Sequence, residues 1–102
     1  MRVIKTTTLK DFAKKHSTAA SAVDFMIPLL ENAAWKNLVE TRKYFPHADE
    51  VVVKSGSTVT VLNLGGNNWR VLTAIHYNRQ TIYILEILTH AEYSREKWKD
   101  RL

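Results

Sequence analysis

The sequence predicts an α+β two-layer domain, in which N-terminal helices pack against a sheet formed largely by the C-terminal half. Apolar residues recur at helical spacing in the first half, whereas β-branched runs and turn residues fill the second half. The expected strands 59–64, 70–77 and 82–88 carry apolar residues on both faces, so helices should cover one face and leave the other partly open. A chain of 102 residues supports one hydrophobic core, and we therefore expect a single domain over 1–102.

The N-terminal part predicts a short strand followed by a helix. Val3-Ile4 is an apolar pair that we expect to add a minor strand to the later sheet. Thr8 followed by Asp11 resembles a capping box, which would start an amphipathic helix that ends at His16.

Two further helices are predicted before the sheet. The first runs over 17–34 and contains Pro28, where we expect a kink or a break because proline removes one backbone hydrogen bond. Asn37 with Glu40 predicts a short helix that ends at Tyr44-Phe45, just before a proline.

The second half predicts a meander of four antiparallel strands joined by turns, which together with the short N-terminal strand should form an antiparallel sheet. Val51-Val52-Val53 is the first strand, and the turn Gly65-Gly66-Asn67-Asn68 predicts a tight hairpin between the next two. Asn63 then lies directly opposite Arg70 and shares its face. A second turn returns the last strand, so that its end near Thr89 lies beside Arg70.

The charged tail over 91–102 follows the last strand. It carries Trp98 and Leu102 one helical turn apart. We expect a short helix that is docked by a small apolar edge.

Five polar side chains converge at the end of the predicted sheet where Arg70 lies. Asn63 faces Arg70 across the hairpin, and His90, Glu92 and Tyr93 follow the last strand. Turn geometry thus brings together an amide, a guanidinium, an imidazole, a carboxylate and a phenol, and no packing requirement accounts for all of them.

The charge of the chain favours a polyanionic partner. The formal net charge is +5, which suits nucleic acid, although charge that serves only solubility remains the alternative. The chain has no cysteine, which fits a reducing compartment. No apolar run approaches a membrane span and the N-terminus lacks a signal-peptide core, so we expect a cytoplasmic protein without a membrane partner.

Several segments resemble the HigB toxins of the RelE superfamily. They are Met1-Arg2-Val3-Ile4, Trp35-Lys36-Asn37, Tyr44-Phe45-Pro46 with Ala48-Asp49, Asn63-Leu64-Gly65-Gly66-Asn67, Arg70-Val71-Leu72, Tyr83-Ile84 and Thr89-His90-Ala91-Glu92-Tyr93. The chain departs from the family pattern at Leu62, where an aromatic is common, and at Ser94, where an aspartate often follows the tyrosine. The resemblance covers nearly the whole chain and implies a RelE-like fold.

The resemblance also implies a function. Members of this family are the toxins of type II toxin–antitoxin pairs: small basic ribonucleases that enter the ribosome and cut messenger RNA. A helix-turn-helix antitoxin of the HigA type holds them inactive. The implied activity is therefore an mRNA endoribonuclease that uses acid–base attack of the 2′-hydroxyl, without a metal or other cofactor.

Four residues are candidates for the chemistry, and each has a structural alternative. Arg70 would clamp the scissile phosphate in bidentate fashion, or pair with Glu86 across the strands, or be a solvated strand residue. His90 would be the acid or base, because the unperturbed pKa of histidine is near neutrality, or would bond a backbone carbonyl at the strand end. Tyr93 would stack on a base or donate a hydrogen bond to the phosphate. The structural alternative is that its ring packs against the C-terminal tail. Glu92 is the weakest candidate, because a solvated helix start also explains it.

Six further residues are candidates for RNA binding: Asn63, Asn67, Lys36, Lys54, His76 and Arg79. The asparagines would orient ribose or phosphate, with a turn role as the alternative for Asn67. His76 shares the Arg70 face, and the lysines and Arg79 would follow the RNA backbone. His16 and His47 lack metal-ligand spacing, so no metal site is predicted.

Two other functions stay open. ParE-type toxins share the fold and act on DNA gyrase, so a non-catalytic toxin or RNA-binding module is one alternative. The other is an interaction domain whose basic face recruits an acidic partner. A neighbouring gene for a small helix-turn-helix protein would favour the toxin.

Overall fold

The computed structural model describes residues 1–66 and 68–102, and the strands and helices named here belong to those residues. The strands are β1 (Arg2–Ile4), β2 (Asp49–Val52), β3 (Thr58–Leu64), β4 (Trp69–His76) and β5 (Thr81–Thr89). The helices are α1 (Thr6–Lys15), α2 (Ala20–Asn32), α3 (Leu38–Thr41), α4 (His90–Ser94) and α5 (Trp98–Arg101). Short 3-10 turns lie at Ser17–Ala19 and Tyr77–Arg79. The predicted α+β architecture is confirmed, and the three long strands begin and end within one residue of the expected positions.

The strands of the described residues form one sheet in the order β1-β5-β4-β3-β2. The ladders among β2, β3, β4 and β5 are antiparallel, as predicted, but β1 pairs with β5 in parallel, so the sheet is mixed. The Arg2 N–H donates to the Gln80 carbonyl at 2.8 Å, which aligns the starts of β1 and β5. The expectation of an antiparallel sheet is corrected for this one ladder, because a three-residue edge strand does not specify its own direction.

Helix α1 begins two residues earlier than the predicted capping box. Its N-cap is Lys5, in the left-handed conformation at φ 67°, and it makes no side-chain cap hydrogen bond. The capping role of Thr8 was wrong, because the chain turns from β1 onto the sheet face as soon as the strand ends. The predicted end at His16 is confirmed.

Helix α2 continues through Pro28, so the expected break is absent. Proline inside a helix costs about 3 kcal/mol, whereas each large apolar side chain that is fully buried contributes about 1.5–3 kcal/mol. Val23, Met26 and Leu30 of α2 are all buried, and Pro28 itself is exposed. Burial of the inner face therefore outweighs the cost of the proline on the outer face.

Helix α3 starts as predicted and is pinned to the sheet. The Asn37 side chain accepts a hydrogen bond from the Glu40 N–H at 3.0 Å, and the helix ends at Thr41, earlier than the expected Tyr44-Phe45. The buried Thr41 hydroxyl lies 3.0 Å from the Tyr77 hydroxyl at the end of β4. Burial raises the pKa of Tyr77 above its ordinary value.

The two faces of the sheet have different covers. Helices α1 and α2 pack on one face, together with the following buried strand residues: Leu62, Leu64, Trp69, Val71, Ile82 and Ile84. The C-terminal tail packs on the other, where Trp98 is only 1% exposed among Val59, Val61, Leu72 and Leu88. The Trp98 indole N–H donates to the Tyr93 carbonyl at 3.0 Å, and the two rings stack with centroids 5.4 Å apart. The predicted docked tail is confirmed.

Trp98→Ala should lower the free energy of unfolding by about 3–5 kcal/mol, the usual cost of deleting a buried aromatic ring. Urea denaturation followed by circular dichroism measures the loss. The exposed Val52→Ala is the control, with an expected change within about 0.5 kcal/mol. A loss no greater than that of the control would mean that the tail does not belong to the core.

Candidate functional site

The hairpin between β3 and β4 sets the position of the site. Asn63 lies opposite Arg70 and Leu64 opposite Trp69, which confirms the register expected from the turn. Gly65 has φ +59°, and a Cβ atom there would lie 2.7 Å from the Trp69 ring. Only glycine lets that ring pack directly beneath the turn. At the next ladder Trp69 pairs with Thr89, so β5 ends beside Arg70, as predicted.

Arg70 is the centre of the site and is only 9% exposed. One terminal nitrogen donates to the Trp69 carbonyl at 3.2 Å, and the other lies 3.2 Å from Nδ1 of His90. The guanidinium carbon lies 5.5 Å from the centre of the Tyr93 ring, within cation–π range. These contacts hold the planar group in one orientation at the sheet end.

The contact with Arg70 determines the proton arrangement on His90. A guanidinium carries donors and no acceptor, so Nδ1 of His90 is the acceptor in this contact. The neutral imidazole therefore carries its proton on Nε2. His90 is exposed, so the side chain is accessible from solvent.

A capping box positions His90 at the start of α4. The Thr89 hydroxyl accepts from the Glu92 N–H at 3.2 Å, and the Glu92 carboxylate accepts from the Thr89 N–H at 3.0 Å. The His90 N–H donates to the Asn68 carbonyl at 3.2 Å, which ties the helix to the hairpin turn. The Glu92 carboxylate is thus engaged in the cap, which favours the structural alternative for this residue.

The predicted alternative for Arg70 differs from the observed geometry. Glu86 forms an ion pair with Arg101 at 2.7 Å and lies opposite Leu72 in the ladder. The residue opposite Arg70 is Leu88. The guanidinium is thus held by the sheet end and α4.

Tyr93 packs against the tail, which is the structural alternative considered for it, and it also lies beside Arg70. Its half-buried ring stacks on Trp98, with the ring planes 14° apart, and also contacts Arg70. The residue therefore packs the tail and forms one wall of the site at the same time.

Arg70 and Tyr93 line an open cleft of about 320 Å³. Its walls are formed by His47, Asp49, Val61, Asn63, Arg70 and Tyr93. His47 and Asp49 were not predicted as site residues from the sequence, because His47 was considered only as a metal ligand. The available signal was the strand pattern: Asp49 pairs with Val61, two residues from Asn63, once β2 is placed beside β3.

Four of the predicted RNA-binding residues lie away from this cleft. His76 ends β4, six residues from Arg70, which is about 20 Å at about 3.4 Å per residue, and contacts the Tyr83 ring. Arg79 lies in the following turn, and Lys36 follows Trp35, whose carbonyl accepts from Gln80 in that same turn at 2.7 Å. Lys54 follows the far end of β2. Asn67 lies outside the described residues.

Within residues 1–66 and 68–102, no helix is long and apolar enough to cross a membrane. The same residues contain no group of three or more histidine, aspartate or glutamate side chains that could hold a metal ion.

Comparison with known proteins identifies the family. The HigB toxin family model, described as the RelE-like toxic component of a toxin–antitoxin system, matches residues 19–96. The mRNA interferase HigB of Escherichia coli O6:H1 is 27% identical over 95 residues, covering 93% of this chain and 90% of that protein. The mRNA interferase toxin HigB of Escherichia coli K12 is 29% identical over 93 residues, covering 91% and 88%. Since the family match spans more than half of the chain, the protein belongs to the HigB toxin family, the RelE-like toxic component of a toxin–antitoxin system, and its partner is an antitoxin.

Proposed function

We propose that this toxin is an endoribonuclease that cleaves messenger RNA on the ribosome. The observation that carries the proposal is the buried Arg70 guanidinium, held between the His90 imidazole and the Tyr93 ring in an open cleft. The relatives that carry the name mRNA interferase support the same substrate.

In the proposed reaction the 2′-oxygen attacks the adjacent phosphorus, and the bond from phosphorus to the 5′-oxygen breaks. A base must take the 2′-hydroxyl proton, an acid must protonate the leaving oxygen, and a cation must stabilise the charge that develops on the phosphate. Arg70 is the cation, because its planar fork matches two phosphate oxygens. A metal is not required for these steps.

His90 is the proposed base, and its contact with Arg70 makes the availability of this base depend on binding of the phosphate. Before binding, Nδ1 of His90 accepts from the guanidinium at 3.2 Å. A phosphate that enters the cleft would draw the guanidinium toward its own oxygens. Nδ1 would then be free to accept the 2′-hydroxyl proton. The base would thus become available only when the phosphate is bound.

The leaving oxygen needs a second titratable group. His47 is the proposed acid, because its exposed imidazole lines the same cleft as Arg70. Tyr93 would contribute its hydroxyl to the phosphate or its ring to a base. Glu92 is assigned to the helix cap in this mechanism.

The proposed partners follow from the substrate and the family. Ribosomes that carry messenger RNA would deliver the substrate, which implies action in the cytoplasm. The antitoxin would be a helix-turn-helix protein of the HigA type, as the family resemblance implies. Co-expression with the neighbouring gene and co-purification test this partner.

Arg70→Ala should abolish growth inhibition and cleavage of messenger RNA, because the guanidinium that stabilises the charge on the phosphate would be lost. Arg70→Lys keeps the charge but loses the bidentate fork, so we expect partial activity at most. Mapping of RNA 5′ ends after induced expression measures both variants, and circular dichroism verifies their folding. Unchanged cleavage by Arg70→Ala would contradict the proposed function.

His90→Gln should slow single-turnover cleavage on programmed ribosomes by about a hundredfold or more, the usual scale for losing a general acid or base. The acidic limb of the pH–rate profile should flatten, since a base is active only when it is unprotonated. His47→Gln should instead flatten the alkaline limb. The matched control is His16→Gln, because His16 ends α1 and stacks on Phe12. If His90→Gln keeps the rate and pH profile of the wild type, the histidine is structural.

Tyr93→Phe separates the two proposed roles of the tyrosine. The ring keeps its stack on Trp98 and its contact with Arg70, so folding should not change. A hydroxyl that donates to the phosphate predicts a lower kcat, whereas a stacking role predicts normal kcat and KM. Single-turnover rates at saturating enzyme distinguish these outcomes.

A further inference from the structure

An apolar groove of about 640 Å³ lies beside the Arg70 cleft and has no role in the mechanism above. Its walls come from the side of α2 that carries Ala22, Phe25 and Leu29, from the segment 44–47 and from the β3 end of the hairpin turn. Two aromatic side chains stand open at this groove: Phe25 is 72% exposed and Tyr44 is 61% exposed. Large exposed rings of this kind mark binding surfaces more often than they serve stability.

The groove and the Arg70 cleft are adjacent. His47 and Asn63 line both of them. A molecule that places a phosphate at Arg70 therefore has the groove close to it. The shared lining favours an occupant that belongs to the same chain as the phosphate.

Two aromatic rings of the groove wall pack against a buried tryptophan. The centroid of the Trp35 ring, which is 3% exposed, lies 6.0 Å from that of Tyr44 and 6.0 Å from that of Phe45. Phe45 is half-buried against the core and also lines the groove. The Tyr44 and Phe45 rings thus have packing partners before any ligand binds, which lowers the entropy cost of ordering them on binding.

We propose that this groove is a nucleobase subsite, which takes an unstacked base of the RNA strand one or two nucleotides from the scissile phosphate. The assignment rests on the proposed function, because it takes the RNA phosphate to lie at Arg70. Single-stranded RNA is recognised by stacking its bases on aromatic side chains and by hydrogen bonds to base edges. Phe25 and Tyr44 supply the flat apolar faces, and the exposed Ser21 and His47 side chains in the groove lining supply polar groups for a base edge.

A segment of the antitoxin is the competing occupant, since apolar grooves also accept amphipathic helices. Two observations favour the base. The groove shares His47 and Asn63 with the Arg70 cleft, and two of its exposed members, Phe25 and Tyr44, are aromatic. Docking of a protein helix would require neither feature.

The test measures binding of a short single-stranded RNA that carries a 2′-deoxy sugar at the cleavage position, so that it cannot be cut. Phe25→Ala and Tyr44→Ala should each weaken binding about tenfold, within the range for removing one stacking contact. The control is Val39→Ala, an equally open apolar side chain, 68% exposed, outside the groove lining. Fluorescence anisotropy at fixed ionic strength gives the dissociation constants, and circular dichroism verifies the folding of each variant.

A second set of RNAs identifies the base. Each carries one abasic nucleotide at a defined distance from the modified sugar. At the position that enters the groove, the abasic RNA should bind the wild type and Phe25→Ala equally, because base and ring contribute the same contact. At the other positions the difference between the two proteins should persist.

Two results would overturn the nucleobase assignment. One is equal binding of the intact RNA by the wild type, Phe25→Ala and Tyr44→Ala. The other is normal RNA binding by these variants with a weakened antitoxin complex, which would assign the groove to the antitoxin. Arg70→Ala keeps the two proposals separate: continued cleavage by that variant rejects the proposed function, whereas groove variants that bind like the wild type reject only the subsite.

Discussion

The site depends on keeping one guanidinium in a nearly buried position at the start of β4. Burying a charge is costly unless hydrogen bonds compensate it. Arg70 donates one such bond to the Trp69 carbonyl of the sheet and one to the His90 ring of α4. Any displacement of α4 would remove a partner from this charge. The elements that fix the end of β5 therefore also maintain the site.

Stability and the proposed activity share residues on this face of the sheet. Thr89 caps α4, and Tyr93 both contacts Arg70 and stacks on Trp98. Trp98 in turn lies buried in the apolar cluster on this face of the sheet. A substitution in the tail would therefore affect folding and the site together. The outer face of α2 differs, because Phe25 is open to solvent and can be changed without disturbing the core.

The sheet and the centre of the site could be predicted because they follow from local signals. Glycine and asparagine in the hairpin turn set the register, and alternation along the strands then placed Asn63 opposite Arg70. The helices were predicted less well. The Thr8 capping box was wrong, and of the kink or break expected at Pro28 the break does not occur, because packing of α1 and α2 on the sheet overrides cap and proline signals worth a few kcal/mol.

The sequence alone determined the α+β class, the hairpin register and the convergence of Arg70, His90 and Tyr93, since each depends on turn chemistry and on neighbours in the chain. Which other residues lie near these three was decided only by the tertiary structure. It brought His47 and Asp49 into the cleft through the pairing of β2 with β3, and it placed the following candidates elsewhere: Lys36, Lys54, His76 and Arg79. The period of a strand assigns a face to each side chain but does not bring distant positions on that face together. Such distances depend on strand length and on the order of strands in the sheet.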